Sequence, residues 1–256
     1  MKRWNKTSLA AAALCKTSER LLDFKLVFMK VIMLSTDAAI DDKILKHIAY
    51  TQALHAVRNY LPVTEYEAIE LASFQVVSEH SDGAPENGFL AADILHYIPA
   101  RLAYNYKTDE EIFTLECAIL MRATTLKNNQ IDEDTAKDLY LQMARKSPLF
   151  GSMFYECDLV SAYEDLPDSV FLAVNEWGVH LMDRGTKEHL LTIDYYDIKK
   201  WSCSSVQLTL CVGEAETRLV CRMPSGKPKE ATNVMKVYVS IQASKPLDGG
   251  GGGELL

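Results

Sequence analysis

Any chemistry in this 256-residue chain would have to come from a few groups of side chains. The histidines, His47, His55, His80, His96, His180 and His189, are scattered. None stands in an H-x-x-x-H or H-E-x-x-H arrangement, which would set two imidazoles on one metal ion. His47 and His55 are spaced to share a helix face and no more. The cysteines, Cys15, Cys117, Cys157, Cys203, Cys211 and Cys221, form no C-x-x-C pair and keep no zinc spacing with histidine. They read as free, buried or semi-buried thiols of a reducing compartment. The carboxylate runs Asp109-Glu110-Glu111 and Asp132-Glu133-Asp134 fall where helices begin, a position the helix dipole favours. No nucleophile is patterned around them, and P-loop, G-x-G-x-x-G and G-x-S-x-G sequences are lacking. The sequence therefore predicts no catalytic residue, no metal site and no cofactor, and a protein that is not an enzyme.

One stretch keeps functional promise: Asp194-Tyr195-Tyr196-Asp197-Ile198-Lys199-Lys200-Trp201-Ser202. Two adjacent lysines beside an aromatic suit an anionic lipid face, so Lys199 and Lys200 are candidate lipid-binding residues, with a solvated basic pair as the plain alternative. Ile198 and Trp201 are expected to point into a core. An extended peptide added to an open sheet edge is held by main-chain groups. The backbone of Lys200, Trp201, Ser202, Cys203 and Ser204 is therefore the candidate peptide-binding edge, with the C-terminal helix as opposing wall.

Composition narrows the class. Apolar residues make up 48%, charged residues 24%, and the formal net charge is −8. That balance fits a folded globular protein and argues against a general nucleic-acid binder, which a phosphate backbone would repel. Met1–Cys15 has a weak signal-peptide look, but its apolar run is short and it reads as an irregular start. No run is long enough to span a bilayer. Gly249–Gly253 reads as a flexible tail.

The elements that would position these residues follow from periodicity. Leu22–Leu34 reads as a buried strand, with a helix as the alternative that periodicity alone leaves open. From Asp41 the spacing turns helical, with Leu45, Ala49, Ala53 and Val57 in one stripe. Thr64 and Glu67 form a capping box for the next helix. A short helix is expected at Phe89–His96. Thr108 opens a long helix to about Leu126 that is apolar on two faces and so is expected to be the central, buried one. Glu133–Arg145 is the last helix of this set. After Pro148–Gly151 the period becomes that of strands: Ser152–Val160, Ser169–Asn175, Val179–Asp183, Lys187–Ile193, Val206–Val212 and Arg218–Met223. Lys229–Gln242 closes the fold as an amphipathic helix with Val234, Val237, Tyr238 and Ile241 inward. The expected class is α+β and multi-domain: an irregular start over 1–40, a helical bundle over 41–147, a small antiparallel β-barrel with a C-terminal helix over 148–245, and a tail over 246–256. The barrel order is that of the PH/PTB superfold.

The order and several motifs resemble a FERM domain. Tyr50-Thr51-Gln52-Ala53, Tyr60-Leu61-Pro62 and Ala68-Ile69-Glu70-Leu71-Ala72 resemble its central helical lobe, which has an acyl-CoA-binding-protein-like shape. Ser73 stands where the family favours a second alanine. Tyr97-Ile98-Pro99 resembles that lobe's proline corner. Leu172-Ala173-Val174-Asn175 with Gly178-Val179, and Ile198-Lys199-Lys200-Trp201, resemble the third lobe of talin and of unconventional myosin tails. Phe24–Lys30 resembles the last strand of the ubiquitin-like first lobe, the rest of which is missing. The resemblance implies a cytoskeletal and membrane adaptor. It would bind cytoplasmic tail peptides, phosphoinositide membranes or both, and link them indirectly to actin or to a myosin motor. It would act in the cytoplasm, at the cytoskeleton or on the inner face of the plasma membrane. Two alternatives stand beside it: an accessory FERM module of a tyrosine phosphatase or kinase, and a small-ligand-binding helical bundle.

Overall fold

The starts of the four long helices of the bundle are set by short polar side chains. In the computed structural model, which describes residues 29–34, 42–80, 88–161 and 166–244, Asp42 caps helix α1 (Lys43–Asn59) by accepting the amides of Ile44 and Leu45. Thr64 and Glu67 form the predicted capping box of α2 (Glu65–Glu79), and Thr108 with Glu111 forms that of α5 (Asp109–Asn128). Asp132 caps α6 (Glu133–Ala144). Each cap satisfies amides that the first turn would otherwise leave without partners. The predicted helix at Phe89–His96 is broken. It becomes α3 (Phe89–Ala92) and a 3-10 turn at Ile94–His96, followed by α4 (Ala100–Ala103) after Pro99.

The central helix is α2, not α5 as periodicity implied. Residues 70–78 of α2 are buried without interruption, because α5 and α6 flank it on two sides. On α5, Leu115, Ile119 and Leu120 are buried, but Phe113 is 47% exposed. The buried polar residues of α2, Glu70, Ser73, Gln75 and Ser78, all have hydrogen-bond or ion-pair partners. Ser73 donates to Ile69 O at 2.7 Å and also lies 3.2 Å from Ile119 O, which ties α2 to α5. Glu70 takes a two-pronged ion pair from Arg122.

Seven antiparallel strands follow: β1 (Met153–Ser161), β2 (Ser169–Asn175), β3 (Gly178–Asp183), β4 (His189–Ile193), β5 (Ile198–Cys203), β6 (Gln207–Val212) and β7 (Thr217–Arg222). Their order in the sheet is β4-β3-β2-β1-β7-β6-β5, so β4 and β5 are its two edges. Helix α7 (Lys227–Ser244) packs over β1, β2, β5 and β6. Alternation explains how β2 and β3 are buried on both faces. Val170, Leu172 and Val174 join the core under α7, whereas Phe171 and Ala173 join the helical core. The inward face of α7 is Ala231, Val234, Met235 and Tyr238; Val237, expected inside, is 42% exposed, and Ile241 is half-buried.

The two layers are also joined by aromatic contacts. Tyr60 stacks on Phe154 with centroids 4.3 Å apart and meets Phe171 edge-on at 5.4 Å. The Lys187 ammonium lies 4.1 Å from the centre of the Phe171 ring, a cation–π contact. Lys187 was expected to open a strand. It is instead a left-handed turn residue (φ 63°), and the strand starts at His189.

The strand predicted at Leu22–Leu34 is not seen where it can be checked. Residues 22–28 lie outside the described residues, and 29–34 carry no strand pairing. These six residues form a strap held by side chains. The Gln52 carboxamide accepts the Lys30 amide at 3.0 Å and donates to the Lys30 carbonyl at 3.1 Å. The Tyr238 hydroxyl treats Met33 in the same two-way fashion, at 3.0 and 3.2 Å. The weak leader-like start and the glycine tail also fall outside the described residues. Among the described residues no helix is long and apolar enough to cross a membrane.

Candidate edge-binding site on β5

A single turn of 3-10 helix, Tyr195–Asp197, aims β5. Tyr195 is buried, and its hydroxyl donates to the Asn175 carbonyl at 2.7 Å. Burial pushes its pKa upward, so the phenol stays a donor. Gly213 N–H closes the corner from the other side by donating to Asp197 O at 2.9 Å. Gly178 supports the corner from below. Its φ is +151°, and a Cβ there would overlap the Ile193 carbonyl oxygen.

Ile198 and Trp201 are three residues apart, yet both turn inward: Ile198 is buried and Trp201 half-buried against the same core. A regular strand, with its period of two, cannot do this. The pairing of β5 with β6 shows how it is done. Ile198 faces Val212 and Lys200 faces Cys211, so Lys199 is an extra residue on β5. This bulge resets the alternation. It leaves both Lys199 and Lys200 on the solvent side.

The ladder also decides which amides are free. Ser204 N–H donates to Gln207 O at 2.8 Å, so Ser204 points toward β6. Main-chain groups alternate between the two sides of a strand. Ser202 and Lys200 therefore also point toward β6, while Trp201 and Cys203 present N–H and C=O to the open side. Of the five predicted edge residues, two are in position to bond an added strand. Ser204 is excluded for a second reason: its hydroxyl accepts the Val206 and Gln207 amides inside the turn. Sequence alone did not separate these roles; the signal that could have done so was the three-residue spacing of Ile198 and Trp201.

The same end of β5 is fixed to the start of α7. Gly226 N–H donates to Ser205 O at 2.9 Å, and Met223 N–H to Val206 O at 2.8 Å. The strand and helix that would form the two walls of a groove are thus held in register at one end. Lys199 pairs with Glu214 and Lys200 with Glu216, each at 2.8 Å. These bonds raise the pKa of both lysines and lower that of both carboxylates. All six predicted site residues therefore lie on one sheet edge and its turn, but the basic pair already has partners.

Elsewhere, a cavity of about 190 Å³ lies at the junction of the strap, α1 and residues 150–154. Among the described residues no group of three or more His, Cys, Asp or Glu is placed to hold a metal ion. Cys157, Cys211 and Cys221 are buried free thiols, and Cys203 is exposed on the β5 edge.

Comparison with known proteins agrees with this architecture. The family model of the FERM central domain matches residues 35–155, and that of the KRIT1/FRMD8 FERM C-lobe matches residues 168–243. The rice kinesin-like protein KIN-14I is 27% identical over 203 residues, covering 76% of this chain and 15% of that protein. Drosophila Myosin-VIIa is 22% identical over 224 residues, covering 85% and 10%. The human Myosin 7b C-terminal MyTH4-FERM domain, solved in complex with the harmonin-a PDZ3 domain, superposes with a TM-score of 0.71 at 24% identity, covering 85% of this chain and 43% of that one. The chain therefore spans only a small part of the curated relatives it matches. A helical bundle, then an antiparallel sheet closed by a C-terminal helix, with both lobe models matched in order, establishes that this chain belongs to the FERM domain family.

Proposed function

We propose that this chain is a non-catalytic adaptor module that captures an extended peptide on β5, against Val234–Ile241 of α7. The observation that carries this reading is the free side of β5 at Trp201 and Cys203, fixed beside α7. An added strand gains main-chain hydrogen bonds there, and neighbouring side chains supply selectivity. On this reading residues 41–147 form an acyl-CoA-binding-protein-like bundle and 148–245 a PH/PTB-like lobe. The partners are cytoplasmic tails of membrane proteins, and the place of action is the cytoskeleton or cell cortex, with actin or a motor reached indirectly. Myosin and talin relatives support that setting.

The experiment is an amide titration with NPxY-like and unrelated tail peptides. Binding at this edge moves the Trp201 and Cys203 amides more than those of Lys200 and Ser202. If none of the four moves with any tail peptide, the edge reading fails.

A second reading, contact with a phosphoinositide surface, draws on the bulge that turns Lys199 and Lys200 to the same side. K199E/K200E should then reduce sedimentation with phosphoinositide vesicles; unchanged sedimentation would remove the pair from the account.

A further inference from the structure

The bulge sets both lysines against the turn that joins β6 to β7, and that turn has an unusual build. It opens with Gly213 at φ 70° and ends with Glu216 at φ 48°. The left-handed region is unfavourable for a residue with a side chain. Such a conformation persists where the surroundings fix it. Here the Glu216 amide donates to Gly213 O at 3.2 Å, and its carboxylate ends on Lys200. Glu214, two positions earlier, ends on Lys199. One four-residue turn thus delivers one carboxylate to each lysine of the pair.

We propose that the β6–β7 turn is an autoinhibitory latch, in which Glu214 and Glu216 hold the places on Lys199 and Lys200 that phosphate oxygens of an anionic lipid surface would take. The proposal rests on the phosphoinositide reading of the basic pair and adds its regulation. The Glu214 side chain is 93% exposed and the Glu216 side chain 56%. Exposed ion pairs of this kind are weak and screened by salt. The latch therefore selects by charge density. A sparse field of singly charged head groups does not outcompete two carboxylates built into the same turn, whereas a head group with several phosphates does.

The test is co-sedimentation of four proteins with phosphatidylcholine vesicles carrying phosphatidylinositol bisphosphate, phosphatidylserine or neither. The proteins are the unmodified chain, E214Q/E216Q, K199Q/K200Q, and the variant that combines all four changes. D109N/E110Q on the helical lobe makes the same net charge change far from the site. The expected result is severalfold more sedimentation of E214Q/E216Q than of the unmodified chain, most clearly on phosphatidylserine. That gain should vanish when K199Q/K200Q is added, and D109N/E110Q should not show it. If K199Q/K200Q loses binding while E214Q/E216Q sediments like the unmodified chain, the lipid reading stands and the latch falls. An equal gain from D109N/E110Q also overturns the latch, since net charge then accounts for it. If no variant sediments, the lipid reading falls and takes the latch with it. All substituted side chains are exposed, and an unchanged amide spectrum confirms the fold of each variant.

Discussion

The carboxylate of Glu116, on α5, accepts the amide of Leu90 at 2.9 Å while both its oxygens accept the amide of Gly88 at 2.8 and 2.9 Å. The side chain is wholly buried. It does for α3 what a capping residue does for a longer helix, from a different part of the chain. Removing the acceptor would leave the buried Leu90 amide and the partly buried Gly88 amide without partners. Glu116→Ala should therefore lower stability by about 3 kcal/mol, read as a lower urea midpoint at unchanged m-value. A loss below roughly 1 kcal/mol would mean that water replaces the carboxylate.

Gly178 is the residue on which the corner before β5 depends. Its φ of +151° and the Ile193 carbonyl leave no room for a side chain. Gly178→Ala should cost about 2 kcal/mol or more and displace the Ile193 and Tyr195 amide signals. Gly226 has open space around it, so Gly226→Ala, which suffers from its φ of 86° alone, should disturb those signals far less.

His180 gives the fold a pH dependence. It is buried between Asn175 Oδ1 and Thr192 Oγ1, each at 2.9 Å. Burial, with a smaller contribution from nearby His189, lowers its pKa from 6.5 to about 4. The unfolded chain therefore takes up this proton first. The stability contributed by neutral His180 is complete above about pH 6.5 and is lost as pH falls toward 4, up to about 3 kcal/mol in all. The drop in urea midpoint between pH 7 and pH 4.5 should shrink in His180→Gln. Equal drops in the two proteins would show that other groups carry the acid sensitivity.

Tyr238 should separate packing from tethering. Its ring is buried in the sheet core, and its hydroxyl holds both polar groups of Met33. Tyr238→Phe keeps the ring and removes the tether, at a cost of about 1–2 kcal/mol. Hydrogen exchange of the Met33 amide should speed up strongly in this variant, while exchange along β2 should change little. Uniform acceleration over the whole sheet would mean that the hydroxyl supports the core rather than the strap.

Much of this was legible in the sequence, for identifiable reasons. The Thr64 and Thr108 capping boxes and the Ser169–Asn175 strand are local signals, and they appear at the predicted positions. The misplaced central helix has a tertiary cause. Nothing in the apolar period of α2 announces that Glu70, Ser73 and Gln75 are buried, because their partners Arg122, Ile119 and His96 lie elsewhere in the chain. The Leu22–Leu34 run carries the composition of a strand, but its final residues are held by the side chains of Gln52 and Tyr238. At the candidate site, the residue types were visible and their directions were not. A one-residue bulge changes which amides and which lysines face outward, and it leaves no mark in composition.

The tether between Tyr238 and Met33 also sets an order of events during synthesis. The two residues are 205 positions apart. At about 5–20 residues per second, Met33 is made roughly 10–40 s before its partner. The helical lobe can form in that interval, with Gln52 as the first hold on the strap. Helix α7 then supplies the second, so the seam between the helical and sheet parts closes only after Tyr238 has been made.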